Sequence, residues 1–185
     1  MRAFRELFQR VYYWKFYQKV AKKGKHIKLS KGGSFNHAEQ ITMGSNIFIS
    51  NNFNISAYKL TFGNNIMVGP NLVIECTNHK MDTIGVSMFE IAKQKIREAV
   101  TIENDVWMGA NVTILPGVKI SEGCVIGAGS IVTKNLPPYS ICVGTPCRPI
   151  KKRFSDSDMQ KHLNLIQKSK YKFEEVFNQW RNFNL

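Results

Sequence analysis

Between Ile102 and Val132 an aliphatic residue or methionine returns at every sixth position: Ile102, Met108, Ile114, Ile120, Ile126 and Val132. Four residues after each of the first five stands a small or β-branched one: Val106, Val112, Val118, Cys124 and Ser130. A period of six matches neither the alternation of a lone strand nor the 3.6-residue turn of a helix. It is the pattern of a parallel β-helix, in which each hexad forms one short flat side of a coil and its aliphatic residue points inward. Three hexads close a triangular turn, so residues about eighteen apart should stack. The rhythm recurs upstream at Met43, Ile49 and Ile55, then at Phe62, Val68 and Ile74. The longer step from Ile55 to Phe62 predicts a one-residue bulge at a corner.

The expected fold is therefore all-β, a parallel β-helix over residues 27–153 with flanking helices over 1–26 and 154–185. Asn and Gly cluster at the expected corners (Gly44, Asn46, Asn51, Asn52, Gly63, Asn64, Asn65, Gly69, Asn71), where left-handed backbone geometry is needed. Residues 79–98 break the hexad pattern and predict a loop ejected from the coil, the kind of excursion that carries function on a rigid scaffold. In the N-terminal segment Phe4, Phe8, Val11, Tyr12 and Phe16 fall near helical spacing, with Gly24 as a stop. Such a helix can cover the open end of the coil, or lie as a basic amphipathic helix on an anionic membrane; the two are compatible. Ser155 or Asp156 can cap the C-terminal helix, whose apolar face is Leu163, Ile166, Phe173 and Phe177.

Composition adds a net charge of +13, which implies an anionic partner: nucleic acid, acidic lipid or a phosphate-rich cofactor. No stretch of eighteen apolar residues and no signal-like N-terminus is present, so a cytoplasmic location is expected. Cys76, Cys124, Cys142 and Cys147 lack CxxC spacing and read as reduced small hydrophobes.

The stretch IENDVWMGANVTILPGVKISEGCVIGAGSIVTKNLPPYSICVGTPCRPIKKR, residues 102–153, closely resembles the left-handed β-helix (hexapeptide-repeat) O-acetyltransferases, in the branch acting on sugars and polysaccharides. The similarity covers roughly residues 27–153, and the motifs D-V-W-x-G-A-N, I-G-A-G-S-I-V-T-K and G-T-P-C-R are specific in combination. The resemblance implies a left-handed coil, a homotrimer with active sites between subunits, and acetyl-CoA as donor, with no metal.

His79 stands where the coil stops and the loop begins. Transfer of an acetyl group to a hydroxyl needs a base, and histidine is the side chain best tuned for that near neutral pH. In similar enzymes a histidine at this place deprotonates the acceptor, which attacks the thioester directly. Asn78-His79-Lys80 departs from the His-Pro of the maltose-type enzymes; Glu75 or Asp82 could orient the imidazole. Trp107, at an outward corner, is expected to cover a ligand or a neighbouring subunit. Gly109, Ala110, Gly127 and Ala128 form a strip of small residues, either for an extended pantetheine arm or for tight packing. By resemblance Ala110, Ala128, Thr133 and Lys134 contact the cofactor. Lys134, Arg148, Lys151, Lys152 and Arg153 should converge at the last coils and suit the CoA phosphates, Arg148, Lys134 and Lys151 foremost. Asn54 and Tyr58, near the bulge, could bind an acceptor sugar.

Four rivals are less well supported. A carbonic anhydrase on this scaffold needs three zinc-binding histidines, two of them close in sequence within the coils, and that spacing is absent. Serine O-acetyltransferases carry a long N-terminal helical domain that has no counterpart here. A nucleic-acid binder, or a non-catalytic scaffold, would leave the site motifs unexplained, and the coils show no basic–aromatic stripe. The expected acceptor is a hydroxyl of a surface polysaccharide or its lipid-linked precursor, made beside the inner membrane; the alternative is a free small sugar or a xenobiotic hydroxyl.

Overall fold

The structure, a computed structural model, describes Val11, residues 13 to 166, and Glu175, Val176, Asn178 and Gln179. Phe4, Phe8, Tyr12, Phe173 and Phe177 of the expected helical faces lie outside the described residues.

The chain winds as a left-handed parallel β-helix of about six turns. Side one of the prism stacks Lys22–Lys23, Ile41–Met43, Leu60–Phe62, Thr101–Ile102 and Lys119–Ile120. Side two stacks Ile27–Leu29, Ile47–Ile49, Ile66–Val68, Trp107–Met108, Val125–Ile126 and Ser140–Val143, and Arg148–Lys152 folds back antiparallel on the last of these. Side three stacks Ser34–Asn36, Asn54–Ser56, Val73–Glu75, Thr113–Ile114 and Ile131–Val132. The first coil strand, Lys22–Lys23, lies ahead of the boundary expected at residue 26.

Each of the hexad positions points inward and none is more than 2% exposed, so they form one continuous apolar column. In the second block Thr101 stacks on Lys119, Trp107 on Val125 and Thr113 on Ile131, the expected eighteen-residue turn. Upstream, Ile27 stacks on Ile47 and Ile47 on Ile66, so those coils are slightly longer. The long step after Ile55 is taken up at Ala57–Lys59, where Lys59 adopts a φ of 46°. The corners divide their work. Asn46, Asn52, Asn65, Asn71 and Asn111 take the left-handed conformation, whereas Gly44, Gly63, Gly69 and Gly109 are small because coils stack closely. A Cβ on Gly109 would stand 2.7 Å from the Ala128 backbone nitrogen.

The N-terminal end is covered. Helix α1 (Trp14–Lys19) caps the first coil: Phe16 stacks on Phe35 at 3.7 Å, and the Tyr13 hydroxyl donates to the Ser30 carbonyl at 2.5 Å. The plugging role expected of the N-terminal segment is thus carried by Tyr13 and Phe16. Helix α2 (Met88–Ile91) lies in the ejected segment, and α3 (Asp156–Leu165) follows the coil. Ser155 caps α3 through the Asp158 N–H, and Met159, rather than Ile166, is its buried anchor against Tyr139. All four cysteines are free and buried, and burial pushes the Cys124 thiol up to about 11, whereas the hydrogen bond with Cys142 lowers the Cys147 thiol. No helix among the described residues is long and apolar enough to cross a membrane.

Candidate active site

The ejected segment is an ordered arm rather than an irregular loop. After Cys76 the chain leaves the edge between sides three and one, and Thr77–His79 pairs antiparallel with Lys95–Arg97. The Glu98 N–H donates to the Cys76 carbonyl at 3.0 Å and closes the base of the ribbon. At its tip a reciprocal capping box between Ser87 and Glu90 starts α2, and Ile91 is buried. The hexad rhythm is lost here because the pairing changes from stacked coils to a hairpin. Met81, Ile84, Met88 and Phe89 remain exposed on this arm, an apolar surface that an isolated chain leaves in water.

His79 sits on the ribbon with its Nδ1 2.7 Å from the Ala92 carbonyl oxygen. A carbonyl oxygen only accepts, so Nδ1 is the donor here, and in the neutral ring that leaves the lone pair on Nε2. The ring is exposed, so Nε2 can meet a substrate. Neither Glu75 nor Asp82 fills the orienting role; a main-chain carbonyl does, and no side-chain reading could have named it.

Trp107 stands on the flat of side two, not at a corner, because it is the outward neighbour of inward Met108 in a two-residue strand. Met67 and Val125 flank it in register, and the outward column continues to Phe48 on one side and Ile141 on the other. Met67 is 59% and Trp107 55% exposed, so this column is an uncovered apolar face. Side two lies opposite the edge that ejects the ribbon. One chain therefore does not bring His79 and Trp107 together.

The small-residue strip runs along the edge between sides two and three. Both readings of it hold, at different residues. Gly109 and Gly127 are packing positions, since a Cβ on either would approach the next coil within 2.7 and 2.8 Å. Ala128 is exposed and a Cβ on Gly129 would meet nothing within 4 Å, so the edge opens there. The N–H groups of Gly109, Asn111, Gly127 and Gly129 bond coil to coil, whereas those of Ala110 and Ala128 take part in none of these bonds. Two amides left out of the coil-to-coil bonding beside an open strip suit an extended amide-bearing ligand.

Of the five expected cations, two are engaged elsewhere. Arg153 pairs with Asp105 at 2.6 Å and Lys152 with Asp156 at 2.6 Å, because the chain turns there to dock α3. Lys134, Arg148 and Lys151 are exposed. The turn before Arg148 lies over the last strand of side three: the Cys147 N–H donates to Ile131 at 2.8 Å, and the Ile131 N–H to Gly144 at 3.1 Å. Thr133 and Lys134 follow that same strand, so Arg148 and Lys134 flank the top of side three, while Lys151 lies opposite Ile141 on side two. Asn54 lies on side three with its Oδ1 accepting from Ser34 Oγ at 3.3 Å, away from the ribbon. Tyr58, in contrast, lines a cleft of about 190 Å³ at the ribbon's root with His37, Lys95 and Arg97, three residues the sequence reading missed. Only the hairpin register, invisible in the hexad pattern, could have pointed to Lys95 and Arg97. Among the described residues no group of three or more metal-ligating side chains occurs.

A family model described as bacterial transferase hexapeptide (six repeats) matches residues 99–134. The chain is 37% identical over 133 residues to galactoside O-acetyltransferase of Escherichia coli (strain K12), a match spanning 69% of the chain and 60% of the relative. Among solved structures, a maltose O-acetyltransferase from Clostridium difficile 630 superposes with a TM-score of 0.68 and 30% identity, covering 79% of this chain and 87% of that one. A galactoside acetyltransferase in complex with coenzyme A superposes with a TM-score of 0.68 and 27% identity, covering 91% of this chain and 87% of that one.

Proposed function

The chain belongs to the hexapeptide-repeat acetyltransferases, and from that membership we propose that it moves an acetyl group from acetyl-CoA to a sugar hydroxyl, with His79 as general base. The observation that carries this reading is the Nδ1 hydrogen bond to Ala92, which leaves Nε2 as a correctly formed acceptor of the hydroxyl proton. Nε2 takes that proton as the acceptor oxygen forms its bond to the thioester carbonyl carbon. The carbon–sulfur bond then breaks, and the imidazolium returns the proton to the departing thiolate. No acyl-enzyme is required, in keeping with the burial of all four cysteines.

The donor fits the open edge: pantetheine amides would meet the free N–H groups of Ala110 and Ala128, with Trp107 beside them, and the phosphates would meet Lys134, Arg148 and Lys151. Thr133 lies on the same path. Arg148→Ala is expected to raise the KM for acetyl-CoA about tenfold while changing kcat less, since phosphate binding is equal in ground and transition states. Thiol release from acetyl-CoA in the presence of a sugar panel measures both constants and tests the activity itself. No acetylated product from any sugar would overturn the reading.

The active oligomer is a homotrimer. The exposed column on side two and the apolar arm each need a partner surface, and a threefold ring supplies one to every subunit without open-ended growth. The acceptor hydroxyl belongs to a surface polysaccharide or its lipid-linked precursor, and the enzyme works in the cytoplasm beside the inner membrane. Residues 10–38 carry eight lysines and arginines and no acid, and Trp14 is 58% exposed on α1. Sedimentation with vesicles containing anionic lipid, against neutral vesicles, measures this contact; equal recovery with both would remove the membrane from the reading.

A further inference from the structure

The antiparallel ribbon sets four side chains on one face. Thr77 lies opposite Arg97 and His79 opposite Lys95, and residues two apart on a strand share a side. Asn78 and Ile96 take the other face. The proposed base therefore projects from the same surface as two cations, one of them its direct cross-strand neighbour. Thr77, Lys95 and Arg97 form one wall of the cleft at the ribbon's root, and the opposite wall is the prism edge with His37, Gln40, Ser56 and Tyr58.

The chemistry of that lining is one-sided. Gln40, Ser56, Thr77 and Tyr58 offer the hydrogen-bonding groups a sugar ring needs. Lys95 and Arg97 form no ion pair with any described residue, and no carboxylate lines the cleft. His37 lines it too, its Nδ1 3.4 Å from Glu39, which stands outside the lining. Two unpaired cations of different shape, an ammonium and a planar guanidinium, make a site for an oxyanion. A neutral sugar offers them hydroxyl acceptors only, and no charge to match their own.

We propose that the acceptor is an acidic saccharide, held in this cleft with its carboxylate or phosphate between Lys95 and Arg97 and its hydroxyl at His79. The proposal rests on the acetyl-transfer reading above and narrows its substrate class. It separates this chain from relatives whose names specify neutral sugars, and it is compatible with acidic polysaccharide units and with phosphate-bearing precursors alike.

The test compares kcat/KM for matched acceptors: methyl glucoside, methyl glucuronide and a glucosyl phosphate. Wild-type protein is expected to favour one or both charged acceptors by about tenfold or more, through KM, with the preference shrinking as salt is raised. The better charged acceptor tells whether a carboxylate or a phosphate is read. In Lys95→Gln/Arg97→Gln the charged-to-neutral ratio should fall to near unity, and Arg97→Lys should keep part of it, which shows that a fold defect is not the cause. A wild-type enzyme that acetylates the neutral sugar as well as the charged ones would overturn the acidic acceptor and leave acetyl transfer standing. Failure to acetylate all three would overturn both.

Discussion

His79→Ala is expected to lower kcat by about 10²-fold or more, the scale of lost general-base catalysis, with the KM for acetyl-CoA little changed. The groups proposed to hold the donor, Ala110, Ala128, Lys134 and Arg148, lie on the coil, whereas His79 lies on the arm, so removing the imidazole should leave those contacts in place. The bond from Nδ1 to Ala92 makes a second variant informative. Asparagine can donate to a carbonyl but has no group that takes a proton at neutral pH, so His79→Asn should restore the local bond and not the rate. Stopped thiol-release assays with a saturating acceptor measure both. A variant turning over at nearly the wild-type rate would remove His79 from the mechanism and return the base to an unassigned group.

The coil was legible in the sequence because its core is strictly local in pattern: one inward residue per hexad, each buried where the period places it. Packing of that kind leaves a mark at every repeat. The arm leaves none, since Thr77–His79 and Lys95–Arg97 pair across a long intervening segment and their alternation is too short to read as strands. The cleft and the shared face of His79 and Lys95 were hidden with it. Trp107 was recognised as outward and exposed, yet its place on a flat side depends on the two-residue strands of the second block, which only coordinates define. The strip of small residues was legible as small but not as two kinds of position. Gly109 is small for the coil above it, and Ala128 is small for what lies outside. The charge run at the C-terminal end was over-read for a related reason. Lys152 and Arg153 meet Asp156 and Asp105, and Asp105 is distant in sequence.

A mixed oligomer tests the arrangement of the site most sharply. His79 rises from the edge between sides three and one, and Trp107 stands on side two, across the prism from that edge. If both serve one reaction, they come from different subunits, and the arm's exposed Met81, Ile84, Met88 and Phe89 are the surface that reaches the neighbour. Trp107→Ala alone should lose about tenfold or more in kcat/KM, since an aromatic wall beside the reacting groups is removed. His79→Ala alone should be nearly inactive. Co-expressed in equal amounts and purified through different tags, the two variants should form mixed trimers in which about one site in three draws an intact His79 from one subunit and an intact Trp107 from the next. Activity should therefore recover to roughly a third of the wild-type level, about threefold above Trp107→Ala and far above His79→Ala. If both residues belonged to the same subunit's site, mixing would restore nothing, because every site would then carry one lesion or the other.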